Sequence, residues 1–310
     1  MNRSNPAEAI FGAHLADAAS LGLHWLYDPE RIAALEGPLA FRPPDPADYE
    51  GARGVFVHWG KRVGDGSQYG EQMRVMTRSL LRAKGFDLAD YQAEFMASFG
   101  PGGSWQGYVD KSTRGTLANL ATGRLPSGAE DDQLPAISKL PPLMVALGAA
   151  PWEGVVEQAV AATSNHPTAL AWAPAAAGAL HAALAGASLY DALHAGIRSA
   201  KAGVGAPLHQ AMERHGEDPV AFAGEAGRAC ALPEGLPVAF HILARADSFE
   251  EAVTDNIRAG GDSCGRAIFI GAMAALEWGV RTAPLGWLVA LRDGAAIWAE
   301  AQAVAALRQG

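Results

Sequence analysis

Four short polar segments lie within or directly before apolar stretches of helical spacing, and their side chains could do chemistry. They span residues 16–18, 64–72, 163–167 and 260–265. Helix N-termini present unpaired N–H groups and the positive end of the helix dipole, so they suit phosphates and carboxylates. Asp, Ser and Asn at helix starts are more often plain N-caps than catalytic groups. No single segment therefore indicates a function.

In their order and spacing, these segments resemble the motifs of the ADP-ribosylglycohydrolase family. Residues 12–18 resemble its Gly-Asp-Ala-Leu-Gly motif, and residues 68–73 stand where it has Thr-Asp-Asp-Thr-Gln-Met. Residues 163–167 resemble its Thr-His-X-His-Pro segment, and residues 260–265 its Gly-Gly-Asp-Thr-Asp-Thr segment. The resemblance runs from about residue 7 to residue 291. It implies an all-helical fold that usually binds two magnesium ions.

The positions that would bind magnesium in the family are largely replaced in this chain. The residues that stand there are Gln68, Tyr69, Gly70, Cys264 and Gly265. Mg²⁺ needs several anionic oxygens in near-octahedral geometry, and only Asp262 keeps a carboxylate at one of these positions. Glu71 is displaced by one residue, which turns a helical side chain by about 100°. We therefore expect no metal ligands and no cofactor, with magnesium bound weakly at most.

The replacements are most similar to those of the J1-crystallin-like branch of the family. The shared features are Tyr-Gly-(Glu/Asp)-Gln at residues 69–72, Asp-Ser-Cys-Gly at residues 262–265 and His-Trp-Leu-Tyr-Asp at residues 24–28. Residues 108–117 also resemble a helical segment of the family. This branch contains lens proteins and relatives with no settled activity. His24 stands where family hydrolases often carry a Glu.

Two functions from different classes remain open. One is hydrolysis of an N- or O-glycosidic bond in an ADP-ribose-linked or related nucleotide substrate, which needs a general base for water. The resemblance gives Asp262, Glu71 and Cys264 as catalytic candidates. The other is a non-catalytic nucleotide-binding or crystallin-like structural protein. Either way the partner is a small nucleotide or an ADP-ribosylated substrate, and the expected cleft residues are Asp17, His24, Tyr69, Gln72, His166, Gly260, Gly261 and Ser263.

Cys264 has two opposing interpretations. A thiol at a helix N-terminus has a lowered pKa, which suits a nucleophile or a redox-sensitive residue. The neighbouring Asp262 opposes this effect, and Arg266 could offset it by turning inward. The alternative is a small, semi-buried side chain that fills space. We expect Cys264 to face the cleft and to react with iodoacetamide before Cys230 does.

The elements that must position these residues are helices. Ala, Leu and Gly are abundant, β-branched residues are scarce, and residues 73–84, 153–162 and 267–277 place apolar side chains at helical spacing. The last of these is apolar on nearly every side, which predicts a buried helix. Only residues 54–59 look strand-like. The sequence predicts an all-α, compact orthogonal multi-helix bundle that forms one domain over residues 1–310.

Composition restricts the partners and the compartment. The 310 residues carry a formal charge of −9 without any basic run, which disfavours nucleic-acid binding. No targeting segment is recognisable, and the Ala- and Gly-rich residues 169–190 indicate a core helix rather than a membrane span. We expect a cytoplasmic protein with no membrane partner. Two cysteines exclude a disulfide framework and a four-Cys zinc site. The oligomeric state stays open.

Overall fold

The computed structural model describes residues 5–309, with side chains up to residue 308. Within this part of the chain there are seventeen α-helices, short 3-10 turns and only isolated β-bridges. The prediction of an all-α fold is therefore confirmed. The strand-like residues 54–59 contribute a single bridge, from Gly54 to Leu26, rather than a sheet.

The helices follow one another through short connections. The first nine are α1 (Ala7–Ser20), α2 (Pro29–Ala34), α3 (Gln68–Ala83), α4 (Leu88–Phe99), α5 (Lys111–Ala121), α6 (Pro135–Ser138), α7 (Leu140–Leu147), α8 (Glu153–Ala161) and α9 (Pro167–Leu184). The remaining eight are α10 (Leu189–Ser199), α11 (Gly205–Glu213), α12 (Pro219–Ala226), α13 (Leu232–Arg245), α14 (Phe249–Arg258), α15 (Ser263–Trp278), α16 (Leu285–Ala290) and α17 (Gly294–Ala306).

Helices α1 and α15 form the centre of the core. Every residue of α15 from Ser263 to Leu276 is buried, which agrees with the buried helix expected there. The two helices touch through glycines. A Cβ on Gly12 would lie 2.4 Å from the Cβ of Ala275, and one on Gly271 would lie 2.3 Å from the carbonyl oxygen of Gly12. The two helices can therefore cross this closely only because Gly12 and Gly271 have no side chain.

Helix α1 ends earlier than the apolar run suggests. The sequence favours one helix over residues 10–26, whereas α1 ends at Ser20 and a 3-10 turn, Leu21–Leu23, follows. The backbone is then extended at His24, and Trp25 has a positive φ of 66°. This break frees the backbone of residues 25–27 to pair with other segments instead of continuing the helix.

Backbone pairing on both sides of residues 25–27 assembles the site. The Tyr27 N–H donates to the Arg53 carbonyl at 2.7 Å, on the side of the 54–59 segment. On the other side, the Gly261 N–H donates to the Leu26 carbonyl at 2.7 Å. His24, His58 and Asp262, which are far apart in sequence, consequently meet.

Helix α3 brings further polar groups to the same place. The sequence predicted a helix from residue 73, but α3 begins five residues earlier, at Gln68. The Oγ of Ser67 accepts a hydrogen bond from the Tyr69 N–H at 3.1 Å and caps the helix. The first turn of α3 therefore carries Gln68 to Glu71, and their side chains point in different directions around the helix.

Helix α9 occupies the Ala-rich window that could have been mistaken for a membrane span. It is an 18-residue helix with Pro174 inside it. Within residues 5–309, no helix combines the length and apolarity needed to cross a bilayer. The window packs as part of the core, with Ala175 to Leu180 buried.

Candidate functional site

The site is centred on the carboxylate of Asp262, which is fully buried at the start of α15. Its Oδ1 accepts hydrogen bonds from the Gly265 N–H at 2.9 Å and from His24 Nε2 at 3.0 Å. Its Oδ2 accepts one from the Tyr69 hydroxyl at 2.8 Å. Burial opposes ionisation, but the hydrogen bonds from His24 and Tyr69 outweigh it and lower the pKa of Asp262. Asp262 is therefore an anion at neutral pH, with hydrogen bonds at both of its oxygens.

A second histidine extends this network. His24 Nδ1 lies 2.8 Å from His58 Nε2, and the two rings are tilted with centroids 5.0 Å apart. Burial, with the neighbouring His24 and Lys61, holds the pKa of His58 well below its usual value. His58 is therefore uncharged at neutral pH. Asp262, His24 and His58 form one continuous hydrogen-bonded chain, which we call the relay.

A second buried carboxylate, Asp17, lies beside the relay. Its Oδ1 accepts from the Ser67 hydroxyl at 2.5 Å and its Oδ2 from the Ser67 N–H at 2.8 Å. Burial raises the pKa of Asp17 to about 6 in spite of these bonds. A Cβ on Gly70 would lie 2.4 Å from Asp17 Oδ2, so the glycine makes room for this carboxylate.

Cys264 does not face a cleft. Its side chain is fully buried, and Sγ lies 3.6 Å from the carbonyl oxygen of Asp17. Burial and the nearby Asp17 and Asp262 carboxylates raise the pKa of Cys264 well above its usual value. The expectation of an accessible thiol is therefore wrong, because the side chain is enclosed. Burial also outweighs the effect of the helix dipole on the pKa of the thiol. Arg266 does turn inward, but it bonds the side chain of Asn256.

Glu71 points away from Asp262. Its Oε1 accepts hydrogen bonds from Ser98 Oγ at 2.6 Å and from Arg78 Nη2 at 2.8 Å, on the side of α3 that faces α4. It also borders a cavity of about 150 Å³ that His14 and Lys61 help to line. A catalytic role shared by Glu71 and Asp262 is therefore not supported, since one residue of displacement has turned the side chain as helix geometry requires.

His166 lies at the start of α9. It caps α9, its Nδ1 accepting from the Thr168 N–H at 3.2 Å. Burial raises the pKa of Asp131, and His166 is among the neighbours that lower it, so these two side chains lie near one another. No hydrogen bond among the described residues joins His166 to Asp262. Asp131 in turn acts on the pKa of Asp110, as Asp262 does, so a cleft shared by His166 and Asp262 stays a prediction, whereas Glu71 has turned away.

The glycine turn before α15 positions Asp262 rather than offering a side chain. Gly260 and Gly261 have φ angles of 71° and 69°, a region that favours glycine. The buried Arg266 donates through Nη2 to the Gly260 carbonyl at 2.6 Å. Ser263 is buried, with its Oγ 3.4 Å from the Ser20 carbonyl. These residues therefore hold the backbone in place.

One face of α3 presents amides without partners. Gln72 Nε2 lies 3.1 Å from Thr113 Oγ1 and 3.4 Å from Asp110 Oδ2, but Gln72 Oε1 and both amide atoms of Gln68 have no partner among the described residues. Residues i and i+4 share a helix face, so Gln68 and Gln72 lie on the same side of α3. Burial raises the pKa of Asp110 to about 6, with Asp131 and Asp262 adding to the effect.

These groups do not fit a magnesium pair. An ion at Asp262 would compete with the donors that already bond both of its oxygens, and Asp17 is engaged by Ser67. Within residues 5–309, no group of three or more His, Cys, Asp or Glu side chains is arranged to hold a metal ion. The hydroxyl of Tyr69 binds Asp262 where the family resemblance implies ligands to a metal.

Comparison with known proteins settles the family. The family model described as ADP-ribosylglycohydrolase matches residues 3–310. The chain belongs to the ADP-ribosylglycohydrolase family. It is 25% identical to crystallin J1A and 24% identical to crystallin J1B of Tripedalia cystophora, in each case over 90% of this chain and 89% of the crystallin.

A solved structure of an ADP-ribosylglycohydrolase-related protein complex supports the fold. It superposes with a TM-score of 0.79 over 99% of this chain and 98% of that chain, at 22% sequence identity. At this identity the likeness concerns the all-α architecture alone.

Sequence analysis missed three groups of the site: His58, Asp110 and Cys230. His58 lies in the segment interpreted only as strand-like, and no spacing links it to His24. Asp110 lies within residues 108–117, which resemble a family helix, but it looks like an ordinary N-cap, which it also is, since it accepts from the Thr113 N–H at 2.6 Å. Cys230 accepts from Trp25 Nε1 at 3.2 Å and hydrogen-bonds to Asp262.

Proposed function

We propose that this protein binds an ADP-ribose-type nucleotide without magnesium, beside the starts of α3, α5 and α15. The observation that carries the proposal is the set of unpartnered amide atoms of Gln68 and Gln72 in the first turns of α3, with Gln72 next to Asp110. Buried polar groups nearly always have a partner, so unpaired ones call for a ligand or water. An amide offers one donor and one acceptor group, which suits the hydroxyls of a ribose.

The hydrogen-bonded state of Asp262 supports independence from magnesium. Binding an ion there would break bonds from His24 and Tyr69 and leave their polar atoms buried without partners. Such unpaired groups cost about 1–3 kcal/mol each. The similarity to the J1 crystallins also favours a member of the family that lacks the magnesium-dependent reaction.

Calorimetric titration with ADP-ribose tests the proposal. We expect the same dissociation constant, within about twofold, in EDTA and in millimolar Mg²⁺. Gln68→Met keeps the length of the side chain but removes its amide, and should weaken binding about tenfold. Gln302→Met on the exposed face of α17 is the matched control and should have no effect. Binding that requires magnesium, or no binding at all, would overturn the proposal.

A further inference from the structure

We infer that the outer face of α16 and α17 is the contact surface of a homodimer, in which two copies of this chain are related by a twofold axis. The surface is made by α1, α16 and α17, so the inference does not depend on the nucleotide site at the starts of α3, α5 and α15. The first observation concerns α16. All six residues of this helix are apolar, yet none of them is buried. A helix that is apolar on every side is ordinarily enclosed by other elements.

Two side chains of α16 project from the surface. Leu285 is 73% exposed and Val289 is 77% exposed, and they lie one turn apart on the same side of the helix. They are the two most exposed of the large apolar side chains that the structure describes. Trp287 holds the helix to the fold through a ring contact with Phe41, with centroids 5.9 Å apart. The helix is therefore anchored on one side and presents apolar side chains to solvent on the other.

The adjoining helix α17 continues this surface without any charge. Its exposed positions are five alanines and one glutamine, namely Ala295, Ala296, Ala299, Gln302, Ala303 and Ala306. A helix that faces water normally carries charged side chains on its outer face. Side chains as short as alanine also allow a second helix to pack at a short interaxial distance. The outer face of α17 is therefore typical of a helix that packs against another one.

A groove lies beside the projecting side chains. It has a volume of about 560 Å³ and opens between α16, α17 and the start of α1. Its apolar lining includes Phe11, Leu288, Leu291 and Trp298. In a twofold dimer the same patch of both copies meets, so Leu285 of each copy can enter the groove of the other. Because one surface carries both the projecting side chain and the groove, its occupant is a second copy of this chain.

The charges around this groove also suit a second copy. Glu8 and Arg281 both line it, and neither forms an ion pair with a residue that the structure describes. A twofold axis lets Glu8 of each copy face Arg281 of the other. Arg292 and Asp293, in the turn between α16 and α17, add one charge of each sign, so the surface is neutral although the chain carries −9. Two copies therefore meet here without the like-charge repulsion that opposes association elsewhere.

Sedimentation velocity tests the dimer and its surface. Between about 1 and 100 µM, we expect the wild type to pass from one chain to a species of twice that mass, with a micromolar dissociation constant. The double variant Leu285→Glu, Val289→Glu should raise this constant at least about 100-fold, because it puts carboxylates into an apolar contact. Tyr190→Glu is the matched control, since Tyr190 is 64% exposed on α10, away from this surface. It should associate like the wild type.

Thiol labelling tests the same surface without introducing a charge. Both native cysteines, Cys230 and Cys264, are buried, so a thiol introduced at an exposed position should react with iodoacetamide first. In Val289→Cys, the rate of this reaction should fall as the protein concentration rises through the dissociation constant, because the dimer covers the thiol. In Tyr190→Cys the rate should not depend on protein concentration. Unchanged far-UV circular dichroism and Tm would verify that each variant is folded.

Three results would overturn the inference. The first is a wild type that remains a single chain at about 100 µM, which is too weak an association for a specific dimer. The second is a dimer that the double variant leaves intact or that does not protect the thiol of Val289→Cys, since its contact then lies elsewhere. The third is association that continues beyond two copies, which indicates a head-to-tail contact instead of a closed twofold one.

Discussion

Hydrogen bonds from side chains and backbone stabilise the buried carboxylate of Asp262 at a position where the family resemblance implies a metal ligand. Tyr69 and His24 each donate to this buried carboxylate, and the Gly265 N–H adds a third bond at the helix N-terminus. Removing any one donor would leave a charged oxygen short of partners, which costs more than an ordinary hydrogen bond contributes. The residues around Asp262 are therefore coupled, and replacing any one of them alone should lower the free energy of unfolding.

The two cysteines give a test at the scale of single residues. Cys264 is fully enclosed and Cys230 is 8% exposed, and burial raises the pKa of both thiols. We expect iodoacetamide to modify both slowly in the native protein, with Cys264 the slower. Peptide mapping by mass spectrometry at several times would measure the order. Faster labelling of Cys264 would restore the reactive thiol that the sequence suggested.

His14 should make the stability depend on pH. Burial and the neighbouring Arg74 lower its pKa to about 3, from 6.5 in the unfolded chain. The native state binds fewer protons than the unfolded state between these values, so this contribution is present above pH 6.5 and is lost as the pH falls. Between pH 7.5 and pH 5, it should lower the free energy of unfolding by about 2 kcal/mol.

Comparison with His14→Gln isolates this effect. Asp17 and Asp110 have raised pKa values of about 6 and act in the opposite sense, since their stabilisation is lost as the pH rises through 6. Urea unfolding of both proteins across the pH range cancels these shared contributions. The unfolding free energy of the wild type, minus that of the variant, should fall by about 2 kcal/mol between pH 7.5 and pH 5. A difference that stays constant with pH would contradict the assignment.

At the scale of elements, sequence patterns predicted the helices better than their ends. The apolar spacing of residues 267–277 predicted the buried helix α15, and the spacing in residues 73–84 predicted α3. The first turn of α3 was missed because Gln68, Glu71 and Gln72 are polar, although both glutamines are buried. The motifs led to Asp262, Tyr69 and His24. His58 was beyond reach, because it is brought in by backbone pairing of an irregular segment, which leaves no periodic signal.

The crossing of α1 and α15 provides a test of an element. Gly12→Ala would place its Cβ 2.6 Å from the carbonyl oxygen of Gly271. Because this oxygen belongs to the backbone of α15, the clash can be relieved only if the two helices move apart. We expect a loss of about 2–3 kcal/mol in unfolding free energy. Gly154→Ala, in α8 with open space around it, is the control and should stabilise by about 0.5 kcal/mol. Equal effects in urea titrations would show that the crossing is not tightly packed.

At the scale of the whole molecule, the packing is continuous. Helix α1 contacts α15, α7 and α17, and α15 in turn contacts α9, α13 and α14. The organisation as one domain over residues 1–310 remains a prediction, and calorimetry that resolves two separate unfolding transitions would contradict it.

Magnesium should have no effect on global stability. A ligand at about 100 times its dissociation constant adds about 2.7 kcal/mol to the free energy of unfolding. Because donors already bond both oxygens of Asp262 and an ion would have to compete with them, we expect the Tm in millimolar Mg²⁺ to stay within about 1 °C of the Tm in EDTA. Calcium serves as a control for ionic strength and charge. A rise of several degrees specific to magnesium would show that an ion displaces these donors.

The enclosure of α15 has a consequence for exchange of backbone hydrogens with solvent. Its amides from Arg266 to Leu276 are surrounded on all sides by other helices, so no local fluctuation of a single neighbour exposes them. Deuterium should enter this helix only when the whole chain opens. The exchange rates of its slowest amides therefore measure the equilibrium of global unfolding. They give the fraction of folded protein under native conditions without added denaturant.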